Sequence, residues 1–417
     1  MSIPTLVVPG TRIACAIMLA LFTTVSHALT YDEALRLAES RAAQLKAREN
    51  TVAAAQSARL SAGQLPDPKL LLGIDNLPVS GPDAWSLTQD FMTMQRIGVM
   101  QEFPNGDKRE ASRRLAQANI ARADAELQIE RLAVQRETAL AWLRVYFLQQ
   151  KTALLDELGT ENSLRMSSAT TQLAAGQGKA SDGLLARQEA VALADLRDDL
   201  ERDLVKARAT LARWVGRAAS TQASGVPPSL TLPETHLRYA MEHHPDLAIF
   251  NSQEDAARAE VAMSEAAKKS DWGVELAYQR RGPAFGDMIS VQVSVDLPLF
   301  PKTRQNPQIA AKQQELARVG AERETMVRQH TEELDGMLAE RVALTRQIER
   351  MDSDWLPLGR QKVELATAGY RAGQEPLASV LDARKFIIDS RMRRIDLEAR
   401  RTEVDAGLHY LATEQQP

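Results

Sequence analysis

Two exceptionally long helical patterns, over 106–172 and 306–369, limit the fold of this chain more than any other feature. If continuous, each would measure about 90–100 Å at the rise of an α-helix. Helices of that length cannot fold back into a globule of ordinary size. Shorter helical patterns are predicted over 32–65, 180–216, 233–269 and 377–413, with apolar residues at the spacing of packed helices.

The chain also repeats itself once. Segment 173–177 (LAAGQ) matches 370–374 (YRAGQ), Phe103-Pro104 matches Leu297-Pro298, and both matches fall in the same order along the chain. Each half has a helical run, two alternating runs joined by a loop, and two further helical runs joined by a short turn. We therefore predict two tandem units, 29–220 and 221–417.

The alternating runs have the period of strands with one apolar and one polar face. In the clearest run, Ile289, Val291, Val293 and Val295 are apolar at every second position. A run from Trp272 pairs naturally with it, and the runs near 70–75 and 96–103 have the same pattern, although Gln101 interrupts an apolar face. The polar positions of these runs that we expect to line a channel are Ser290, Gln292, Ser294, Asp296, Glu275 and Glu102.

Two interpretations of these strands remain open at this point. Their length matches strands that cross an outer membrane at a tilt, but a soluble antiparallel sheet packed on helices has a similar pattern. In the first case four strands are too few for an open channel, because barrels of about eight strands are already filled by side chains. A spanning pore would then require oligomerisation, and three chains would supply twelve strands.

The N-terminus predicts export from the cytoplasm. Arg12 precedes an uncharged run over 13–25 and the small-residue sequence Ser26-His27-Ala28, which is typical of a secretory signal cleaved after Ala28. A retained membrane anchor is the alternative, but the run is shorter than the roughly 20 residues of a spanning helix. Cys15, the single cysteine, lies inside the apolar run and not at its cleavage end, so we expect no lipidation.

No pattern indicates catalysis or cofactor binding. The chain has 51 basic and 55 acidic residues and a net charge of −4, which gives no reason to expect nucleic-acid binding. The histidines lack the i, i+3 or i+4 spacing that places two metal ligands on one helix face, so the sequence predicts no metal site. Nucleophile-elbow, phosphate-loop and zinc-protease motifs are absent from the sequence.

Taken together, the tandem repeat, the order of elements and the two Ala-Gly-Gln turns resemble the TolC-type outer membrane efflux proteins. The stretch Met100-Gln101-Glu102-Phe103-Pro104 resembles their heavy-metal branch. The resemblance implies an α+β fold of mostly long helices, with a trimeric outer-membrane β-barrel that continues into a periplasmic α-helical barrel. The loops near 78–93 and 280–287 would face the outside of the cell.

The same resemblance implies a periplasmic entrance at the two turns. A periplasmic adaptor protein would dock there and connect the channel to an inner-membrane resistance-nodulation-division transporter driven by protons. The residues at these turns that it assigns to docking are Gly176, Gln177, Gly373 and Gln374. The residues that it assigns to the gate are Asp382, Ser379, Asp182, Tyr370 and Glu375.

These gate residues match the family pattern unevenly. Ser379 replaces the first acidic position of the entrance ring and Glu375 replaces a basic residue, which leaves a Tyr370–Asp182 hydrogen bond but not a salt-bridged lock. Asp182 could equally cap a helix, and Asp382 could be an ordinary solvated residue.

The resulting prediction is the non-enzymatic outer-membrane exit duct of a tripartite efflux system that exports heavy-metal cations. The alternatives are the periplasmic adaptor of such a pump, a general drug or type I secretion duct, and a soluble coiled-coil scaffold. An adaptor should have one helical hairpin flanked by short all-β domains, whereas helices dominate both halves here.

Overall fold

The computed structural model describes residues 29–174, 180–217 and 222–412. The chain is mostly helical, with one four-stranded antiparallel sheet in the order β1-β2-β3-β4. The strands are β1 (Lys69–Asp75), β2 (Met94–Phe103), β3 (Trp272–Arg280) and β4 (Met288–Val295). The helices are α1 (Tyr31–Arg41), α2 (Ala43–Ser61), α3 (Gly106–Ala174), α4 (Ala180–Val215), α5 (Glu234–Glu242), α6 (Pro245–Ala266), α7 (Gln305–Arg350), α8 (Leu356–Arg371) and α9 (Leu377–Leu411).

The same order of elements occurs in both halves of the chain. Two helices precede each strand pair, and a long helical path followed by a shorter helix comes after it; in the second half the long path consists of α7, a π turn and α8. The strands lie within a few residues of the alternating runs in the sequence. Among the described residues, none of the helices has both the length and the apolar character needed to cross a bilayer. The division of the chain at 220/221 stays a prediction.

The helix predicted over 306–369 is not continuous. A π-helical turn, Met351–Trp355, separates α7 from α8. Pro357 lies in the first turn of α8, and proline has no N–H to donate and clashes with the carbonyl one turn earlier. The widened π turn accommodates this proline without ending the helical path.

Two shorter helical predictions are also interrupted. The run 32–65 breaks at Ala42, whose φ of −64° and ψ of 109° are extended, and no sequence signal marks this break. The run 233–269 breaks at His243 and His244. Here the cause is Pro245, because the residue before a proline is pushed out of the helical region, and His244 has a φ of −62° and a ψ of 141°.

The largest buried cluster lies where α1, α3, α4 and α9 meet. Trp142 is fully buried and donates its indole N–H to the carbonyl of Leu29 over 2.8 Å. Tyr31 packs edge-on against Trp142 with ring centroids 5.6 Å apart, and its hydroxyl lies 3.3 Å from that of Tyr410. These contacts join the first and last helices of the described chain to α3.

Asn105 connects the sheet to the helices. Its side-chain oxygen accepts a hydrogen bond of 3.0 Å from the Lys108 N–H, which caps the start of α3. Its side-chain amide donates to the carbonyl of Ala266 at the end of α6 and to Asp271 just before β3. Phe103 and Trp272 stack beside it with centroids 4.2 Å apart. These contacts hold the end of β2 beside the start of β3.

Candidate functional site

The register of the sheet sorts the alternating residues onto two faces. Leu72 pairs with Ile97, Ile97 with Tyr278, and Tyr278 with Ile289. Directly opposed residues of antiparallel strands point to the same side, so the apolar positions of all four strands form one continuous surface, here called the apolar face. Its residues are Leu70, Leu72, Ile74, Ile97, Val99, Phe103, Trp272, Val274, Leu276, Tyr278, Ile289, Val291, Val293 and Val295.

The apolar face is the exposed one. Leu276 is 56% exposed and Ile289 is 74% exposed, whereas Ala277, on the opposite side of β3, is 1% exposed. The side opposite the apolar face, here called the polar face, is crowded between β2 and β3, since a Cβ on Gly98 would lie 2.9 Å from that of Ala277. The sheet therefore exposes its apolar face.

The predicted channel-lining residues share the polar face. Ser290, Gln292 and Ser294 lie opposite Ala277, Glu275 and Gly273, and Glu102 lies opposite Gly273 on the other side. Asp296 lies one residue beyond the end of β4, where its N–H donates to the carbonyl of Asp271 over 2.8 Å. That these residues line a channel stays a prediction.

Charged residues on the polar face are paired across strands. Arg96 forms an ion pair with the buried Glu275 and approaches Asp75 to 3.8 Å, and Lys69 forms an ion pair with Glu102. The acidic residues of this surface were predicted to line a channel, and their basic partners Arg96 and Lys69 were not. The alternation of apolar and polar residues in β2 places Arg96 on the polar face, so its position there could have been predicted from the sequence.

Aromatic residues lie near both ends of the apolar face on β3. Trp272 and Tyr278 are six residues apart, or about 20 Å along a strand. Membrane barrels have aromatic girdles at the two edges of an apolar band about 25 Å tall. Gln101, which interrupts the apolar pattern, lies beside the Trp272 end, where its amide donates to the carbonyl of Pro66 over 2.8 Å.

The second predicted site is the turn between α8 and α9. Gly373 has a φ of 73°, its N–H donates to Tyr370, and the Gln374 N–H donates to Gly369 over 2.9 Å. These two bonds form a Schellman motif, which needs a residue in the left-handed conformation and so favours glycine. Glu375 lies against Gly369, where any larger residue would meet its side chain.

The gate residues of α9 lie just after this turn. Ser379 is half-buried and Asp382 is exposed. Asp382 lines a cleft of about 390 Å³ between α4 and α9, together with Glu189, Lys385 and Asp389. Lys385 pairs with Asp389 over 2.9 Å, so the cleft has a surplus of carboxylates. The structure therefore brings Tyr370, Glu375, Ser379 and Asp382 together at one end of the helical region.

The first repeat's turn is not described to the same extent. Gly176 and Gln177 lie outside the described residues, as does the side chain of Asp182. The Tyr370–Asp182 hydrogen bond and the choice between capping and gating for Asp182 stay predictions.

A third cluster was missed by the spacing argument. His244 and Asp246 at the start of α6 meet His330 from the middle of α7, and one ligand atom of each lies within 4.8 Å of the others. Burial lowers the pKa of His244, and a long hydrogen bond with the His330 ring is the main cause of the lowered pKa of Asp246. Sequence spacing could not reveal this cluster because its residues come from two helices.

Comparison with known proteins agrees with this geometry, although no protein-family model matches the chain. The sequence is 24% identical over 385 residues to the cobalt-zinc-cadmium resistance protein CzcC of Cupriavidus metallidurans, covering 88% of this chain and 85% of CzcC. Among solved structures, the outer membrane protein VceC of Vibrio cholerae has a TM-score of 0.76 at 18% identity, covering 93% of this chain and 97% of VceC. CusC, whose structures concern folding and transmembrane channel formation, has a TM-score of 0.78 at 15% identity, covering 92% of both chains.

These similarities confirm the resemblance found in the sequence. The chain has the fold of the TolC-type outer-membrane channels, and its similarity in sequence lies toward a heavy-metal resistance protein. None of the three proteins is named as an enzyme, in agreement with the prediction of a non-catalytic protein.

The crowding of the polar face gives a prediction for two glycines of the same face. Gly98→Val should destabilise the sheet by about 1–3 kcal/mol, because the new side chain would overlap Ala277 and Glu275. Gly73→Val is the matched control, since nothing lies within 4 Å of a Cβ at Gly73. Thermal unfolding of the purified protein, followed by circular dichroism, should show a lower midpoint for Gly98→Val alone. Equal midpoints would mean that the polar face is less crowded than the structure indicates.

Proposed function

We propose that this chain is the outer-membrane exit duct of a tripartite efflux system. In this proposal three copies pair their sheets into a twelve-stranded β-barrel, and their helices form a tunnel through the periplasm. The observation that carries it is the sheet itself, which has one continuous exposed apolar face and an opposite polar face that is buried along β3 at Gly273, Glu275 and Ala277.

The two edges of the sheet support assembly into a ring. In the described part of the chain, β1 and β4 each pair on one side only, which leaves two rows of backbone groups open. Exposed edges promote pairing with other chains, and closure of a barrel removes them. If β4 of one copy pairs with β1 of the next, every strand gains two neighbours and the ring closes. A bilayer then covers the apolar face, and Ser290, Gln292, Ser294 and Glu275 face the lumen.

The helices support a tunnel that is continuous with this barrel. β2 leads directly into α3 through Asn105, and the long helices α3 and α7 both follow strand pairs, so they leave the sheet on the same side. The loops 76–93 and 281–287 would then lie outside the cell, where Gly282 contacts the backbone of Thr88 in the other loop. The α8–α9 turn would lie at the periplasmic entrance and dock an adaptor protein.

Three features support heavy-metal cations as the substrate. CzcC is named for resistance to cobalt, zinc and cadmium, and the stretch over 100–104 resembles the same branch. The cleft beside Asp382 carries more carboxylates than basic groups, whereas Glu275 and Glu102 of the polar face are paired with Arg96 and Lys69. A duct of this kind passes what an inner-membrane resistance-nodulation-division transporter delivers, so that transporter makes the selection and supplies the energy. In this proposal the signal over 1–28 is removed and the mature chain carries no lipid.

Membrane fractionation tests the duct. The mature protein should sediment with outer membranes and migrate as a trimer in mild detergent, because the apolar face needs both lipid and neighbouring strands. A soluble monomer would contradict the proposal and favour a coiled-coil scaffold. Recovery only through association with the inner membrane would favour an adaptor.

Deletion of the gene tests the substrate. Loss of the duct should lower tolerance to cobalt, zinc or cadmium salts while leaving tolerance to hydrophobic drugs unchanged, since a blocked exit retains the pump's cargo. Growth curves across a concentration series measure this, with the restored gene as the control. Reduced drug tolerance at unchanged metal tolerance would instead indicate a general drug duct.

The acidic cleft predicts a selective entrance. Three copies of Asp382 around a narrow mouth would concentrate cations, as acidic rings do in cation channels. Asp382→Asn should therefore shift the reversal potential of the reconstituted channel toward lower cation preference. Asp124→Asn, an exposed carboxylate far from the α8–α9 turn on α3, is the matched control. Identical reversal potentials for Asp382→Asn and the unmodified channel would remove Asp382 from the gate.

A further inference from the structure

The cluster of His244, Asp246 and His330, here called the His cluster, lies apart from both the sheet and the α8–α9 turn. His244 precedes α6, Asp246 lies in the first turn of α6, and His330 comes from α7. Both imidazoles are almost fully buried, with His330 only 6% exposed. The two rings lie edge to face with centroids 5.1 Å apart. Neither the proposed channel nor its gate uses these residues.

Both imidazoles converge on the same carboxylate oxygen. His244 Nδ1 lies 3.4 Å from Asp246 Oδ2, and His330 Nε2 lies 3.5 Å from that atom. Hydrogen bonds between nitrogen and oxygen are normally about 2.9–3.0 Å long, so these distances are too long for strong direct bonds. Ligand atoms at about 2.0–2.1 Å from a tetrahedral zinc ion lie about 3.3–3.4 Å from one another. The His244–Asp246 and His330–Asp246 distances both match this spacing.

The hydrogen bonds of His244 identify which ring nitrogen carries its proton. One ring nitrogen donates to the backbone carbonyl of Tyr410, and Nδ1 accepts the Asp246 backbone N–H over 3.1 Å. Nδ1 therefore carries a lone pair, which accepts the Asp246 N–H in this structure. The same nitrogen lies 3.4 Å from Asp246 Oδ2, and a cation close to both atoms would be attracted to each of them.

The surroundings of one ring, that of His244, match those of a metal ligand. Histidines that bind metals usually donate their second ring N–H to a carbonyl or carboxylate, as His244 does to Tyr410. His330 Nδ1 is buried and has no hydrogen-bond partner among the residues that the structure describes. The Nε2 atom of His330 lies 3.5 Å from Asp246 Oδ2, so the ring presents this nitrogen to the carboxylate.

We propose that His244 Nδ1, the Asp246 carboxylate and His330 Nε2 bind one divalent transition-metal cation of the zinc class. Two imidazoles and one carboxylate are a donor set suited to zinc, and water would complete the tetrahedron. Because both imidazoles are buried between helices, the ion is a resident ion and not transported cargo. It would fix the start of α6 against the middle of α7. This proposal is independent of the proposed export function.

Metal content of the whole mature chain tests the site. The protein, purified in detergent with any polyhistidine tag removed, is dialysed against Zn²⁺ and assayed for bound metal and affinity. The unmodified protein should hold one Zn²⁺ per chain. His330→Gln and Asp246→Asn should weaken binding by at least about tenfold, because each removes one of three ligands. His243→Ala is the matched control, since it removes the adjacent, exposed histidine outside the cluster.

The test of the metal site does not depend on the variants alone. An unmodified protein without stoichiometric zinc would overturn the proposal, as would variants that bind zinc as tightly as the control. If the cluster variants fail to fold, X-ray absorption of zinc bound to the unmodified protein decides. A shell with two imidazoles and a carboxylate supports the site, and any other set of protein ligands overturns it. Loss of the outer-membrane trimer would affect the export proposal and leave these metal measurements interpretable.

Discussion

The pairing of β2 with β3 is the interaction on which the rest of the structure depends. It is the contact that joins the strands of the two halves, and its register places Val99 opposite Leu276 and Gly98 opposite Ala277. A shift of one residue would move every apolar side chain of one half to the polar side. The positions of α3 and α6 depend on this register, because Asn105 and Asp271 connect the same two strands to these helices.

The two faces of the sheet place opposite demands on their surroundings. The polar face pairs its charges internally through Arg96 and Glu275, so its buried carboxylate has a direct partner. Among the residues that the structure describes, nothing covers the apolar face in this way, and an exposed apolar surface larger than a few hundred Å² marks a site of contact with protein or membrane. Both open edges and the apolar face are satisfied together if copies of the sheet close into a ring within a lipid bilayer. This is why the sheet, more than the turns, argues for a duct.

The sequence predicted the strands well and the interruptions of the helices poorly, for physical reasons. A period of two is visible in a single run, so the alternation at Ile289 and its neighbours predicted both the strand and its faces. Pro245 and Pro357 are local signals for the helix break and for the π turn. The helical spacing of the apolar residues around them nevertheless predicted continuous helices. The His cluster needed the packing of α6 on α7, which no spacing within one helix reveals. Register across strands was likewise required to pair Arg96 with Glu275.

The break at His244 connects local chain chemistry to the joint between helices. Pro245 forces His244 into an extended conformation, and this conformation lets its side chain turn back to cap α6 through the Asp246 N–H. The same Nδ1 lone pair cannot both cap the helix and bind a cation. A bound ion would therefore replace one hydrogen bond of a helix cap, worth about 1 kcal/mol, with coordination bonds that also hold α7. The exchange would stiffen the joint between α6 and α7 while leaving the sheet register and the α8–α9 turn unchanged.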